Sequence, residues 1–181
     1  MRAVSAYLTA LFLIIGLSAV SVSAQDTNIA DNVILENKVE KQLRKLPYYG
    51  VFDFITFEVN DGTVTLNGKV RNAINRSHAK NYVKSIDGVS EVINNIDLLP
   101  ASSFDDRIRR NTVRSFYSGA GLYRYIQGTN PSVRIIVDGG RLTLEGVVAS
   151  NSDIRYANIL ARGIPGVFEV TNNLTIEKAR P

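Results

Sequence analysis

Cysteine is absent from this chain of 181 residues, and histidine occurs only once. The absence of cysteine excludes disulfide bonds, thiol catalysis, thiolate metal sites and the cysteine-linked lipid anchor of bacterial lipoproteins. The lone histidine, His78, has no second imidazole with which to share a metal, and we interpret it as a surface or satisfied residue. The folded chain must therefore be held together by packing alone.

Residue patterns for catalysis are missing as well. Acidic residues fall mostly in turns and at the starts of helices, where carboxylates cap amide groups, and no pair is marked out as an acid and a base. The glycines fall in turns and at helix ends, and none belongs to a phosphate-binding loop. We therefore predict a protein that is not an enzyme and that uses no cofactor or metal.

Positive charge is in small excess. Lys and Arg number 21 against 17 for Asp and Glu, which gives a net charge of +4. In an exported protein this mildly basic character suits an anionic lipid surface or a cell-wall polymer better than nucleic acid. We therefore expect no nucleic-acid partner.

The amino terminus has the composition of a signal peptide. Arg2 precedes an uncharged apolar run over residues 6–20, and small residues end the segment at Ala24. The run is shorter than the roughly 20 residues that span a bilayer, so a retained membrane anchor is the weaker alternative. We predict a signal peptide over residues 1–24, cleavage after Ala24 and a periplasmic location. Cleavage removes Arg2 and no acidic residue, and it leaves a net charge of +3.

One stretch of sequence occurs twice: NDGTVTLNGKV begins at Asn60, and DGGRLTLEGVV begins at Asp138, an offset of 78 in the numbering. In both copies apolar residues alternate with polar ones, as in a strand with one buried face. The turn positions carry Asp-Gly and Gly-Gly, which favour a tight hairpin turn. Each copy is therefore predicted to be a β-hairpin with one apolar face.

Helical spacing of apolar residues precedes and follows each hairpin, and a third strand comes last. The first helix is predicted from two matched sets of residues at an offset of 74: Ile34, Val39 and Leu43, and Ile108, Val113 and Tyr117. The hairpins have the larger offset of 78. The second copy is therefore predicted to carry four additional residues in the loop before its hairpin.

The predicted fold is α+β: two tandem αββαβ units, each a three-stranded mixed sheet with two helices packed on one face. The first unit covers residues 30–100 and the second covers residues 101–178. Asn94 and Asn172 interrupt the apolar pattern of the third strands. We expect backbone groups, or a position at the sheet edge, to satisfy their side chains.

Gly68 and Gly146 stand on the apolar face of a strand, where glycine contributes no side chain. We expect them to face Ala79 and Ala157 on the covering helices, so that helix and sheet can approach closely. The alternative is that these glycines admit a ligand to the backbone.

The combined pattern resembles the BON-domain family (bacterial OsmY and nodulation). Its unit has a helix, a hairpin with G-x-V-x-L-x-G-x-V, a second helix and a strand with G-V-x-x-V. The residues that match are Gly62, Val64, Leu66, Gly68, Val70, Gly88, Val89 and Val92, and then Gly140, Leu142, Leu144, Gly146, Val148, Gly166, Val167 and Val170. The long loop of the second copy departs from the compact unit. The resemblance implies a periplasmic, envelope-associated protein without catalytic activity that binds phospholipid or another envelope component.

Basic and aromatic residues occur together in the second copy. Arginines at i, i+3 and i+7 of its first helix form one basic stripe, and a glycine-bounded loop with tyrosines follows. The candidate lipid-binding residues are Arg107, Arg110, Arg114, Tyr117, Tyr123, Arg124 and Tyr125. Arginine beside tyrosine suits the headgroup level of a bilayer, and the predicted partner is an anionic phospholipid membrane surface.

Other interpretations stay open at this level. The stripe could be a solvated helix face, and Tyr123 or Tyr125 could pack on the neighbouring unit. A chaperone or adaptor that binds envelope proteins or cell-wall polymer would use exposed apolar edges or the open sheet face of Thr63, Thr65, Asn67 and Lys69. The first copy's loop with Tyr48, Tyr49, Val51 and Phe52 has no basic residue, and we assign it to packing, with the second copy as the candidate surface.

Overall fold

The computed structural model describes residues 24–119 and 121–177. The first unit contains α1 (Ala24–Leu43), β1 (Phe54–Asn60), β2 (Thr63–Val70), α2 (Ala73–Lys84) and β3 (Glu91–Leu98). The second contains α3 (Ser103–Ser118), a short α4 (Tyr123–Ile126), β4 (Val133–Asp138), β5 (Arg141–Val148), α5 (Asn151–Arg162) and β6 (Glu169–Ile176). The predicted α+β fold of two αββαβ units is confirmed, and α4 is an addition within the long loop.

The predicted signal peptide lies outside the described residues except for Ala24, and its cleavage stays a prediction. None of the helices found in residues 24–119 and 121–177 has the length and apolar character needed to cross a bilayer.

Each unit has a mixed sheet with the second strand of the hairpin in the centre. β1 pairs antiparallel with β2, and β2 pairs parallel with β3. The second unit repeats this arrangement in β4, β5 and β6. The register is also repeated at the offset of 78, since Ile55 lies opposite Gly68 and Val133 lies opposite Gly146. The repeat in the sequence is thus a repeat of structure.

The two long helices of each unit cover the same face of their sheet. In the first unit, α1, α2 and β2 contribute Val39, Val83 and Leu66 to one buried cluster. In the second unit the corresponding cluster includes Phe116 of α3 and Leu144 of β5. Burial of these apolar side chains, at about 25 cal/mol per Å², is the main stabilising term in a chain without cysteine.

The alignment between α1 and α3, the first helices of the two units, differs by one residue from the predicted alignment. Ile34 and Tyr117 were assigned to the apolar side, but they are 55% and 54% exposed. The buried positions of α1 are Leu35, Val39 and Leu43, and those of α3, at an offset of 73, are Ile108, Thr112 and Phe116. The second copy therefore has five additional residues before its hairpin rather than four.

Polar residues at buried positions of α3 caused this error. The Thr112 hydroxyl is satisfied because it donates to the carbonyl oxygen of Ile108 at 2.8 Å. Arg109 is only 2% exposed, and its guanidinium donates to the carbonyl oxygen of Val137 and to the carboxylate of Asp106. Because these polar side chains lie inside, the spacing of apolar residues alone misplaces the buried face.

The predicted reason for the strand glycines is wrong. Gly68 and Gly146 have φ angles of +130° and +118°, in the region that favours glycine. The atoms nearest to a Cβ placed on Gly68 belong to the backbone of β1, and such a Cβ would collide with the carbonyl oxygen of Phe54. A Cβ on Gly146 would collide with the carbonyl oxygen of Ser132. The close approach is therefore between strands, not between strand and helix.

The asparagines of the third strands are satisfied by backbone groups, as predicted. The Asn94 side chain donates to the carbonyl oxygen of Arg76 at 3.0 Å and accepts from the amide of Ile96 at 3.2 Å. Asn172 makes the same two bonds, to Ile154 and Leu174, at the same distances. Each asparagine thus ties its edge strand to the helix beside it.

Part of the loop between α1 and β1 packs on the second unit, as predicted. Tyr48 departs from the prediction because it is 61% exposed, and Tyr49 packs against the core of the first unit. Val51 and Phe52 contact the core of the second unit, and the carbonyl oxygen of Val51 accepts from the amide of Ile135 at 2.7 Å. Arg134 donates to the carbonyl oxygen of Gly50 at 2.7 Å, and its guanidinium lies 4.4 Å from the centre of the Tyr49 ring. Burial raises the pKa of the Tyr49 hydroxyl and lowers that of Arg134.

Two ion pairs also join the units. Lys69 of β2 lies 2.5 Å from the carboxylate of Asp138 at the end of β4. Arg71 lies 2.9 Å from Asp106 of α3, which also accepts from Arg109 at 2.7 Å. The first turn of α3 is therefore held by both units.

Candidate membrane-facing site

The helix α3 carries the centre of the predicted site and begins at a well-formed cap. The Ser102 hydroxyl accepts from the amide of Asp105 at 3.1 Å, and Asp105 and Asp106 place negative charge in the first turn, where the helix dipole favours it. The Asp105 side chain is buried and accepts from the amides of Gly139 at 3.0 Å and Gly140 at 2.9 Å. These bonds fix α3 to the turn of the β4–β5 hairpin.

The basic stripe on α3 is confirmed as an exposed surface. Arg107, Arg110 and Arg114 are all exposed on the side of the helix away from the core. Tyr117 continues this surface by one more turn and is 54% exposed. Among the described residues, none of the three arginines has a carboxylate within 4.0 Å. We call these four residues the α3 stripe.

The two loop tyrosines that were predicted to join the stripe, Tyr123 and Tyr125, differ in exposure. Tyr123 is 46% exposed, whereas Tyr125 is buried at 8% exposure within the core of the second unit. The Tyr125 hydroxyl donates to Asp153 at 3.0 Å and accepts from the amide of Ala149 at 2.9 Å. Its ring is thus part of the core and is not available at a membrane surface.

Arg124 is also held by internal contacts. Its guanidinium donates to the Tyr125 hydroxyl at 2.8 Å and lies 3.2 Å from the carboxylate of Asp153. The bond to Tyr125 holds the pKa of Arg124 above its ordinary value, and the bond from the Ser150 hydroxyl is the main cause of a lowered pKa at Asp153. Arg124 therefore supports the loop, although half of its side chain is exposed.

A comparison of the two units explains the position of Tyr125. In the first unit the amide of Arg71, just after the hairpin, donates to the carboxylate of Asp53 at 2.7 Å. The equivalent amide, that of Ala149, donates to the Tyr125 hydroxyl instead. Because Tyr125 lies within the inserted loop, it has no counterpart in the first copy, and no pattern in the sequence could have identified this role.

Two aromatic residues beside the stripe were not predicted. Phe104, in the first turn of α3, and Phe168, between α5 and β6, are exposed and stack with ring centres 5.7 Å apart. The positions equivalent to them in the first unit hold Asp31 and Ser90. Comparison of the aligned copies could have found this difference, but the predicted alignment of α3 with α1 was shifted by a single position.

Potential metal ligands are scattered. In the part of the chain that the structure describes, no group of three His, Asp or Glu side chains is placed to hold a metal ion. His78 is partly buried and stacks on Tyr82 with ring centres 5.5 Å apart.

The amino-acid sequence places the chain in a family. The sequence model of the BON-domain family matches residues 31–100 and 105–178, so the chain belongs to this family. BON domains are associated with phospholipid-binding proteins of the cell envelope and with osmotic stress, and they are in general not enzymes.

No curated protein matches the chain in sequence. Two solved structures of CdsD, a structural protein of the type III secretion system of Chlamydia trachomatis, match it at 14% identity. The first match covers 81% of this chain and 94% of the other, with a TM-score of 0.33. The second, a C-terminal domain, covers 80% and 98%, with a TM-score of 0.32. At these values the two structures carry no argument about function.

Proposed function

We propose that this chain is a non-enzymatic periplasmic protein that binds the surface of anionic phospholipid membranes and contributes to envelope integrity or stress tolerance. The observation that carries the proposal is the α3 stripe: three exposed arginines without a carboxylate within 4.0 Å among the described residues, followed by an exposed tyrosine. Arginine and tyrosine both place a polar group in the headgroup region while apolar atoms lie deeper.

The expected affinity is modest and sensitive to salt. Each basic side chain near an anionic surface contributes about 1 kcal/mol, so the three arginines contribute roughly 3 kcal/mol. Screening lengths of about 8 Å at physiological ionic strength limit this attraction to close contact. Binding of this kind is peripheral and reversible.

The first unit does not repeat the three arginines and the tyrosine at the positions equivalent to the α3 stripe, although α1 and the residues after it carry exposed lysines of their own, Lys38, Lys41 and Lys45. The positions of α1 that correspond to the α3 stripe, at the offset of 73, are Ile34, Asn37, Lys41 and Arg44. Arg44 is paired with Glu40 at 2.6 Å, so part of the positive charge is neutralised locally. We infer that arginine, which binds phosphate through a planar fork of donors, makes α3 the stronger lipid surface of the two, and substitution of each basic set separates a dedicated surface from a general effect of net charge.

A triple substitution tests the proposal. Arg107→Gln, Arg110→Gln and Arg114→Gln together should abolish sedimentation with vesicles of phosphatidylcholine and phosphatidylglycerol, because about 3 kcal/mol of attraction is removed. Folding should be unchanged, since all three side chains are exposed. Vesicles of phosphatidylcholine alone should not bind either protein.

The matched control removes the same charge from the first unit. Lys38→Gln, Lys41→Gln and Lys45→Gln, all at exposed positions of or next to α1, should leave binding nearly unchanged. Equal loss in both triple variants would show that only the net charge matters and would refute a site on α3.

The adaptor alternative has less support. Of the four residues on the open sheet face of the first unit, Lys69 is paired with Asp138 and Asn67 accepts from Asn95 at 3.2 Å. Half of that face is therefore engaged in contacts within the protein. This occupancy favours α3 as the binding surface.

A further inference from the structure

Phe104 and Phe168 form an exposed aromatic pair at one end of the second unit. Phe168 is 78% exposed, the highest value for a large apolar side chain among the described residues, and Phe104 is 36% exposed. The two rings are nearly parallel, with 22° between their planes. The pair is a contiguous apolar surface beside the basic α3 stripe, and this combination, rather than the exposure of either ring alone, points to a binding surface.

The pair rests on a rigid support. The amide of Phe168 donates to the carbonyl oxygen of Gly140 at 3.0 Å. Both rings pack closely on glycine, since a Cβ on Gly140 would lie 2.5 Å from the Phe168 ring and one on Gly166 would lie 3.3 Å from the Phe104 ring. The hairpin turn itself is held by Asp105. The backbone that carries the rings is therefore held in place before any ligand binds, which lowers the entropic cost of binding.

The fold does not require these phenylalanines. The first unit has the same hairpin turn, and the amide of Ser90 donates to the carbonyl oxygen of Gly62 at 2.8 Å, as Phe168 does to Gly140. Its residues at the ring positions are Asp31 and Ser90, which are both exposed. The aromatic pair thus belongs to the second unit alone.

The pair and the stripe are continuous. Phe104 precedes Arg107 by three residues on α3, so the two side chains are neighbours on the helix surface. At about 1.5 Å per residue, Phe104 and Tyr117 lie roughly 20 Å apart, with the three arginines between them. A flat anionic surface that contacts the arginines can also reach the rings.

We propose that Phe104 and Phe168 are the apolar anchor of this surface and insert below the headgroups of an anionic phospholipid bilayer while the arginines bind its phosphates. The inference rests on the proposed function and adds to it how deeply the protein enters the bilayer and in which orientation. The amino-terminal end of α3, which is bonded to the β4–β5 hairpin turn, enters the bilayer. Positive charge beside the rings favours an anionic lipid surface over an uncharged apolar partner.

The absence of tryptophan from the chain allows a direct test. Phe168→Trp introduces a single reporter at the anchor, and Ser90→Trp introduces one at the equivalent position of the first unit. With phosphatidylcholine and phosphatidylglycerol vesicles, the emission of the Phe168→Trp protein should shift to the blue and be quenched by acyl-chain-brominated phosphatidylcholine. The emission of the Ser90→Trp protein should not change.

Binding strength gives a second measurement. Phe168→Ser should weaken vesicle binding about tenfold, because a partly inserted phenyl ring loses its apolar burial. The fold-change should persist at high salt, unlike that of the arginine variants, because apolar insertion is not screened.

The outcomes separate the two proposals. If the arginine variants lose binding while Phe168→Trp shows no shift or quenching, the anchor is refuted and the lipid surface stands. If the unmodified protein does not bind anionic vesicles, both fail. A blue shift without lipid that grows with protein concentration would show that a second copy of the chain covers the pair, and it would refute the anchor.

Discussion

At the scale of single residues, backbone geometry requires glycine at one position in the second strand of each hairpin. Gly68 and Gly146 both have positive φ angles and both abut a carbonyl oxygen of the adjacent strand. A side chain at either position meets two penalties, an unfavourable backbone conformation and overpacking.

Gly146→Val is therefore expected to destabilise the protein by a few kcal/mol, because valine is β-branched and would collide with the carbonyl oxygen of Ser132. Thermal or denaturant unfolding measures this loss. The folded fraction should bind vesicles as the unmodified protein does, since Gly146 is remote from the α3 stripe in sequence and on a different element. Loss of binding at an unchanged melting temperature would instead place Gly146 in a ligand site.

The sequence singled out Gly68 and Gly146 as unusual on an apolar strand face, but not the reason that glycine is needed there. Alternation in the strands showed that Gly68 and Gly146 interrupt an apolar face, which is correct. It could not show φ, nor the path of the neighbouring strand, because both depend on the register of pairing. Tyr125 was misassigned for a related reason, since an aromatic residue in a loop gives no signal of whether its ring points inward.

At the scale of elements, α3 differs from α1 in what it buries. Hairpins and second helices were predicted correctly because their apolar pattern is clean and the offset of 78 repeats it. The pattern of α3 is mixed, since Asp105, Arg109 and Thr112 lie inside and Tyr117 lies outside. Internal hydrogen bonds hold these buried polar side chains, although Nε of Arg109 has no partner among the described residues, and such bonds cannot be predicted from periodicity.

The bond between α3 and the hairpin turn gives a prediction for the element. Asp105→Ala should destabilise the protein by about 2–4 kcal/mol, because two amides, those of Gly139 and Gly140, lose a charged acceptor. Denaturant unfolding measures the loss. Vesicle binding should also weaken, since the turn supports the aromatic pair.

The control for this change is Asn32→Ala, at the equivalent position of α1. Within the described residues the structure records no hydrogen bond from Asn32 to its hairpin turn, so the expected cost is below about 1 kcal/mol. An equal loss of unfolding free energy in the two variants would show that the destabilisation comes from helix propensity and not from the hydrogen bonds to the turn.

At the scale of the whole molecule, two lowered pKa values lie at the contact between units. The hydrogen bond from Lys69 is the main cause of the lowered pKa of Asp138, and that from Arg109 is the main cause for Asp106, with Arg71 adding to it. A lowered folded pKa means that the ionised carboxylate is favoured. The stabilising effect is thus present above the ordinary pKa of about 3.9 and is lost as the pH falls through the lowered value.

The melting temperature of Lys69→Ala, compared with that of the unmodified protein, tests this linkage. The variant should melt lower at neutral pH, and the difference should shrink as the pH falls from the ordinary aspartate pKa of about 3.9 through the lowered pKa of Asp138 in the folded protein. Both side chains are partly exposed, so the difference is expected to be small and to decrease with added salt. A difference that is constant from neutral pH to pH 3 would contradict the assignment.

The bond between the amide of Ile135 and the carbonyl oxygen of Val51 has a further consequence for why the units occur in tandem. β4 is an edge strand, with a row of backbone groups that could pair with any extended chain. The loop of the first unit occupies part of this row and covers it with Val51 and Phe52. The first unit therefore covers part of an open sheet edge, and a second unit produced without it is expected to self-associate through β4 more readily than the whole chain.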